Sequence, residues 1–214
     1  EAPVLIDQEG GRVQRLNPPH WRARPAAAKF GALASQRAGD GRKAVFLNHQ
    51  LIGAELAALG IDVDCAPLID VQQPGAHDVI GDRAFSGDPE QVATLGRAAA
   101  DGLMSAGITP VIKHIPGHGR SMVDSHHDLP RVTTPHAELS RIDFVPFKRL
   151  NDLPWGMTAH IVYEAIDQEL PATLSAKVIA EIIRGEIGFD GLLLSDDLSM
   201  KALCGSLGGE ARHR

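Results

Sequence analysis

Five short apolar runs, each leading into a Gly- or Pro-bearing polar loop and then a helical pattern, constrain this chain more than any other feature. They span residues 3–6, 61–66, 109–113, 156–159 and 191–195. Between them, residues 42–59 place Val45, His49, Ile52, Leu56 and Leu59 at spacings of three and four, the period of one helix face, and Gly60 follows as a stop. Residues 89–106 begin after Asp88, a suitable N-cap, and stop at Gly107. Residues 175–184 open with Ser175 as cap and carry Val178, Ile179, Ile182 and Ile183. Strands that alternate with helices pair in parallel and bury the helices against the sheet.

In three of the five runs the apolar stretch ends directly in reactive residues: Asp7-Gln8-Glu9, Lys113-His114 and Ser195-Asp196-Asp197. Chemistry at the C-terminal ends of parallel strands belongs to a barrel or to a doubly wound open sheet. The open sheet normally carries a Gly-rich phosphate loop after an early strand, and neither GxGxxG nor GxxxxGK[ST] occurs. The expected fold is therefore α/β, a (β/α)8 TIM-type barrel. Such a barrel has eight strands and five are readable, so the expectation is a single domain over residues 1–214, incomplete at both chain ends.

The 214 residues carry a formal charge of −6 and no Lys/Arg run longer than two, which argues against nucleic acid as a partner. Hydrophobic residues at 43% and charged residues at 22% describe a folded protein, and no apolar stretch approaches the ~18 residues of a membrane span. The two cysteines, Cys65 and Cys204, cannot make a disulfide framework and fit a reducing, cytoplasmic compartment. Aromatic residues are only 4%, a poor basis for base stacking. Histidine is common, at 10, and His114, His118, His126, His127 and His136 crowd into 23 positions.

That crowd holds the most informative segment. Lys113 and His114 close a strand, Pro116, Gly117 and Gly119 permit sharp turns, and Asp124 lies two residues before His126. A carboxylate so near an imidazole can fix the tautomer of a ring that exchanges protons near neutral pH. The same loop offers Asp124, His126, His127 and Asp128 as metal ligands, and a solvated surface turn is the third reading. Asp196 and Asp197 follow three leucines; alternation sends them to opposite faces, so one reaches the mouth and the other suits a helix cap. Asp7 and Arg15, joined through Gly10-Gly11, bracket a polyhydroxylated ligand or simply pair with each other, and Arg83 sits in a loop that faces the same mouth.

In order along the chain these segments read IDQEGGRVQRL (6–16), APLIDV (66–71), IGDRAFSGDP (80–89), KHIPGHG (113–119), DSHHDLP (124–130), MTAHIVY (157–163) and SDDLSM (195–200). Together they resemble glycoside hydrolase family 3, in particular its single-domain bacterial β-N-acetylglucosaminidases of peptidoglycan recycling. The resemblance implies that Asp196 is the catalytic nucleophile and His126 the general acid/base, with Asp124 as its partner. It implies that Asp7, Arg15, Arg83, Lys113 and His114 grip N-acetylglucosamine in the −1 subsite. It further implies retention of configuration through a glycosyl-aspartate, with no metal and no cofactor. Ordinary retaining enzymes use two carboxylates about 5–5.5 Å apart, a test that does not transfer when a histidine replaces the acid. Two other expectations stand beside this one: a metal-dependent barrel hydrolase built on the His/Asp loop, and a truncated form that binds amino sugars without turnover.

Overall fold

Strands form where the apolar runs lie, and the central runs, at β4, β5 and β7, are buried by helices outside and by their neighbours' side chains inside. The computed structural model describes residues 2–76, 78–121 and 129–199. Its elements in chain order are β1 (Leu5–Ile6), β2 (Gln8–Gly10), β3 (Val13–Gln14), α1 (Ala27–Gln36), α2 (Ala38–Ala58), β4 (Val63–Asp64), a single 3-10 turn over Gly81–Arg83, α3 (Pro89–Ser105), β5 (Thr109–Ile115), β6 (Arg131–Val132), α4 (His136–Arg141), α5 (Val145–Arg149), β7 (Trp155–Thr158), β8 (Val162–Tyr163), a π-helix over Val178–Glu186, and β9 (Leu192–Ser195).

Strands β1, β4, β5, β7 and β9 form one sheet in that spatial order, every pair parallel. Successive strands therefore lie side by side with no reversal of direction in the order. A doubly wound sheet needs such a reversal; the wall of a barrel does not. The described residues form an arc of a (β/α) barrel. Leu5 on β1 and Leu192 on β9, at the two edges of the arc, are exposed.

Two apolar layers hold the arc. Outside it, Ile69, Ile112 and Ile115 pack with Val92, Leu95 and Ala99 of α3 and Phe147 of α5. Inside it, Val63, Cys65, Val111 and Met157 form a separate cluster with Trp155 and Leu194. Helices α2 and α3 touch closely because small residues line the contact: a Cβ on Gly102 would stand 2.4 Å from the Phe46 carbonyl oxygen.

Local signals explain the boundaries. Asp88 accepts the Glu90 N–H at 3.0 Å and caps α3, and Gly107 just beyond it has φ +85°, the left-handed stop. Ser175 Oγ accepts the Val178 N–H at 3.0 Å. The helix it opens is wound as a π-helix, with Ile187 N–H bonded to Ile182 O, where the apolar spacing suggested an ordinary helix. Its wider turn keeps Val178, Ile182, Ile183 and Ile187 buried together. Helix α2 starts four residues earlier than the periodicity indicated, and α1, α4, α5 and the short pairs β2–β3 and β6–β8 lie outside the five-run pattern.

Candidate active site

Strand β5 delivers two functional side chains at adjacent positions. Simple alternation would send Lys113 and His114 to opposite faces. The β5–β7 pairing, however, slips by one residue between Lys113↔Met157 and Ile115↔Thr158, and the extra residue is His114. A bulge of this kind re-aims a side chain at the end of a strand, and here both groups reach the C-terminal mouth of the arc. Asp7 arrives there at the end of β1. The β2–β3 hairpin, turning through Gly10 and Gly11 at φ +94° and +56°, returns Arg15 to within 3.3 Å of Asp7.

These groups line a cavity of about 230 Å³ together with Val13, Val79, Ile80, Arg83, His118 and Asp196. It is small beside the ~300–1,000 Å³ usual for drug-sized ligands, and its walls are mostly charged or polar. Of the residues singled out from sequence, Asp7, Arg15, Arg83, Lys113, His114 and Asp196 meet here; Asp124 and His126 lie outside the described residues. A larger hollow of about 680 Å³, between α2 and α3 at Arg42, Phe46 and Arg97, gathers none of them.

The charges are ordered. Arg83 places Nε and Nη2 on the two oxygens of Glu9, at 2.9 and 2.7 Å. Lys113 Nζ touches Glu9 at 2.7 Å and Asp7 at 2.9 Å. Burial alone would raise the Glu9 carboxyl, but the Lys113 charge and the Arg83 hydrogen bonds pull it down to about 2. Asp7 is held below its ordinary value despite burial, again chiefly by Lys113. Lys113 is buried, which disfavours its charge, yet the two carboxylates hold its pKa above the ordinary lysine range. The site thus keeps a permanent cation pair, balanced by two permanent anions.

Asp196 follows β9 on the same face as Leu194 and is partly exposed to the cavity. Burial raises its pKa; His114, the Asp197 N–H at 2.8 Å, His160 and Lys113 outweigh that and hold it below the usual carboxylate range. A carboxylate kept ionised beside an open cavity can act as a nucleophile. Asp197 turns away: its Oδ1 accepts the Ser199 N–H at 2.8 Å, a local cap.

Two residues that sequence reading assigned no role prove central. Glu9 shares a strand face with Asp7 by simple alternation, a usable signal. Asp70 is a lone charge within the apolar segment 66–71, a usable signal too, and it is completely buried against His114 and His118.

The sequence model of the glycosyl hydrolase family 3 N-terminal domain matches residues 2–212. The chain belongs to this family. A β-hexosaminidase of Alkalilimnicola ehrlichii is 45% identical over 204 residues, covering 93% of this chain and 57% of that protein. One from Bordetella avium is 38% identical, covering 92% and 57%. Among solved structures, NagZ from Neisseria gonorrhoeae in complex with N-trifluoroacetyl-D-glucosamine superposes with a TM-score of 0.88 at 36% identity, covering 93% of this chain and 59% of that one. A family 3 β-N-acetylglucosaminidase from Paenibacillus gives 0.86 at 39%, covering 94% and 37%. The chain spans little more than half the length of the curated relatives it matches.

Family 3 membership agrees with the barrel arc and with chemistry at its C-terminal mouth. Among the described residues, no three His, Cys, Asp or Glu side chains gather as a metal site. No helix among them is long and apolar enough to cross a membrane.

Proposed function

We propose that this chain is the catalytic domain of a retaining exo-β-N-acetylglucosaminidase that removes terminal β-linked N-acetylglucosamine from peptidoglycan fragments. The observation that carries the reading is the meeting of an ionised Asp196 with Lys113, His114, Arg83, Arg15 and Asp7 around one monosaccharide-sized cavity. The relatives named β-hexosaminidase, and the neighbour that binds N-trifluoroacetyl-D-glucosamine, support an amino sugar as the group held there.

Asp196 attacks the anomeric carbon as the bond to the departing oxygen breaks, and the His126 imidazolium, oriented by Asp124, gives that oxygen its proton. A glycosyl-aspartate results. Water then gives a proton to neutral His126 and attacks the same carbon, which frees Asp196 and leaves the configuration retained. Lys113, Arg83 and Arg15 donate to sugar hydroxyls or to the acetamido oxygen, while Asp7 accepts, so the ring is oriented before reaction. These steps balance without a metal. Soluble wall fragments and a buried free Cys65 suit a reducing cytoplasm.

Release of 4-nitrophenol from its N-acetyl-β-D-glucosaminide tests the proposal. Turnover is expected to vanish in Asp196→Ala and to fall sharply in His126→Ala. Full turnover in Asp196→Ala overturns it.

A further inference from the structure

Asp70 is completely buried yet ionised, and no step above uses it. It stands beyond β4, where Leu68 bridges to Lys113 and draws the segment along β5. Burial raises its pKa, but the His114 charge and hydrogen bond, with His118, bring it below the ordinary value. Its oxygens accept three hydrogens. Oδ1 takes the backbone N–H groups of His114 at 3.2 Å and His118 at 2.6 Å, and Oδ2 takes His114 Nδ1 at 2.8 Å. A carboxylate can only accept, so the hydrogen in the last bond resides on Nδ1. The other ring nitrogen, Nε2, lies 3.9 Å from Asp196 Oδ2.

We propose that Asp70 is a positioning residue for the nucleophile: it fixes the His114 ring with Nδ1 as donor, so that Nε2 is presented to Asp196 and to the sugar in the cavity. The ring cannot turn over without breaking the Nδ1 bond, and the two backbone bonds fix the strand end on which it is mounted. With one ring proton, Nε2 is an acceptor for a sugar hydroxyl and leaves Asp196 Oδ2 without a competing donor. With two, Nε2–H favours the Asp196 anion. In both states Asp70 sets the direction. The assignment deepens the glycosidase reading and rests on it.

Asp70→Asn separates this role from a purely structural one. The amide oxygen can keep both backbone bonds, while its NH2 group faces Nδ1 and drives the ring proton to Nε2. That places a new donor at the attacking carboxylate. The expected result is a folded protein in which kcat/KM for the nitrophenyl sugar falls on the order of 100-fold while affinity for free N-acetylglucosamine changes less than about threefold. In a His114→Ala background the same substitution is expected to cost nothing further. The ¹⁵N spectrum of the histidine rings supplies the independent readout: His114 carries hydrogen on Nδ1 in the wild type and loses it in Asp70→Asn. A folded Asp70→Asn with unchanged kcat/KM overturns the assignment, and so does a wild-type His114 with hydrogen on Nε2 alone. If Asp70→Asn does not fold, the wild-type spectrum decides by itself. A wild type without glycosidase turnover defeats the glycosidase reading instead, whatever the spectrum shows.

Discussion

Glu9 holds Arg83 through both carboxylate oxygens, joining the hairpin after β1 to the 3-10 turn Gly81–Arg83, 74 residues away, and Lys113 closes on the same group. All three side chains are at most 13% exposed, so the charges are shielded from water and depend on one another. Removing one member of a buried ion set leaves its partners' charges unpaired, at a cost of about 3–5 kcal/mol. Glu9→Gln is expected to lose stability on that scale in urea titrations. Arg83 and Lys113 would then lose their fixed positions, and KM for the nitrophenyl sugar is expected to rise about tenfold. A variant as stable as the wild type would show that the set contributes no net stability.

The same carboxylates set how stability follows pH. Glu9 is depressed to about 2 from an ordinary 4.5, so its contribution is complete above pH 4.5 and disappears as pH falls towards 2. Asp143 has the opposite sign. Burial outweighs its bond to Arg120 and raises it to about 6, and among the described residues its Oδ1 has no hydrogen-bond partner. Its contribution is complete below pH 3.8 and is lost as pH rises to about 6. Melting curves from pH 2 to 7 are expected to show a shallower acid limb in Glu9→Gln, with Asp7, Asp70 and Asp196 still contributing to it, and a smaller decline between about 4 and 6 in Asp143→Asn.

The fold was largely legible in sequence because buried parallel strands leave continuous apolar runs and their helices end at glycines. All five strands of the arc lie where those runs lie. Elements held by tertiary contact left weaker traces. Helix α1 has no side-chain cap, and a Cβ on its Gly31 would stand 1.7 Å from the Phe85 carbonyl oxygen, so its place depends on a loop some fifty residues on. The π winding of the last helix was not legible, since apolar residues four apart serve either winding. Glu9 and Asp70 received no role from sequence because their partners are remote in the chain, at Arg83 and His114, and a charge at the end of or within an apolar run does not name its partner.

Asp196 and Asp197 are neighbours with separate surroundings, and substitution should part them. Asp196 faces the cavity; Asp197 accepts a backbone hydrogen from Ser199. Asparagine caps about as well as aspartate, so Asp197→Asn is expected to change stability by less than about 1 kcal/mol and to keep most of the activity. Asp196→Asn removes the charge of the proposed nucleophile at nearly constant shape and is expected to abolish turnover. Equal losses in the two variants would mean that the side chain of Asp197 also serves the reaction.

Gly119 tests how closely the loop after β5 must seat. Its φ lies outside the left-handed region, so alanine meets no backbone penalty of its own; the obstacle is contact. A Cβ there would stand 1.9 Å from the Val71 carbonyl oxygen and 2.5 Å from its carbon, next to the residue that holds His114 and His118. Backbone cannot yield as a flexible side chain does, so Gly119→Ala is expected to cost about 1–3 kcal/mol. The strain falls on the segment 70–72, and kcat/KM for the nitrophenyl sugar should drop along with the melting temperature. Gly39 is the matched control. It lies within α2 with nothing inside 4 Å of a built Cβ, and Gly39→Ala is expected to add up to about 1 kcal/mol of helix stability without touching turnover. Gly119→Ala melting with the wild type would show that the two segments separate at little cost, and that the loop is not held by this contact.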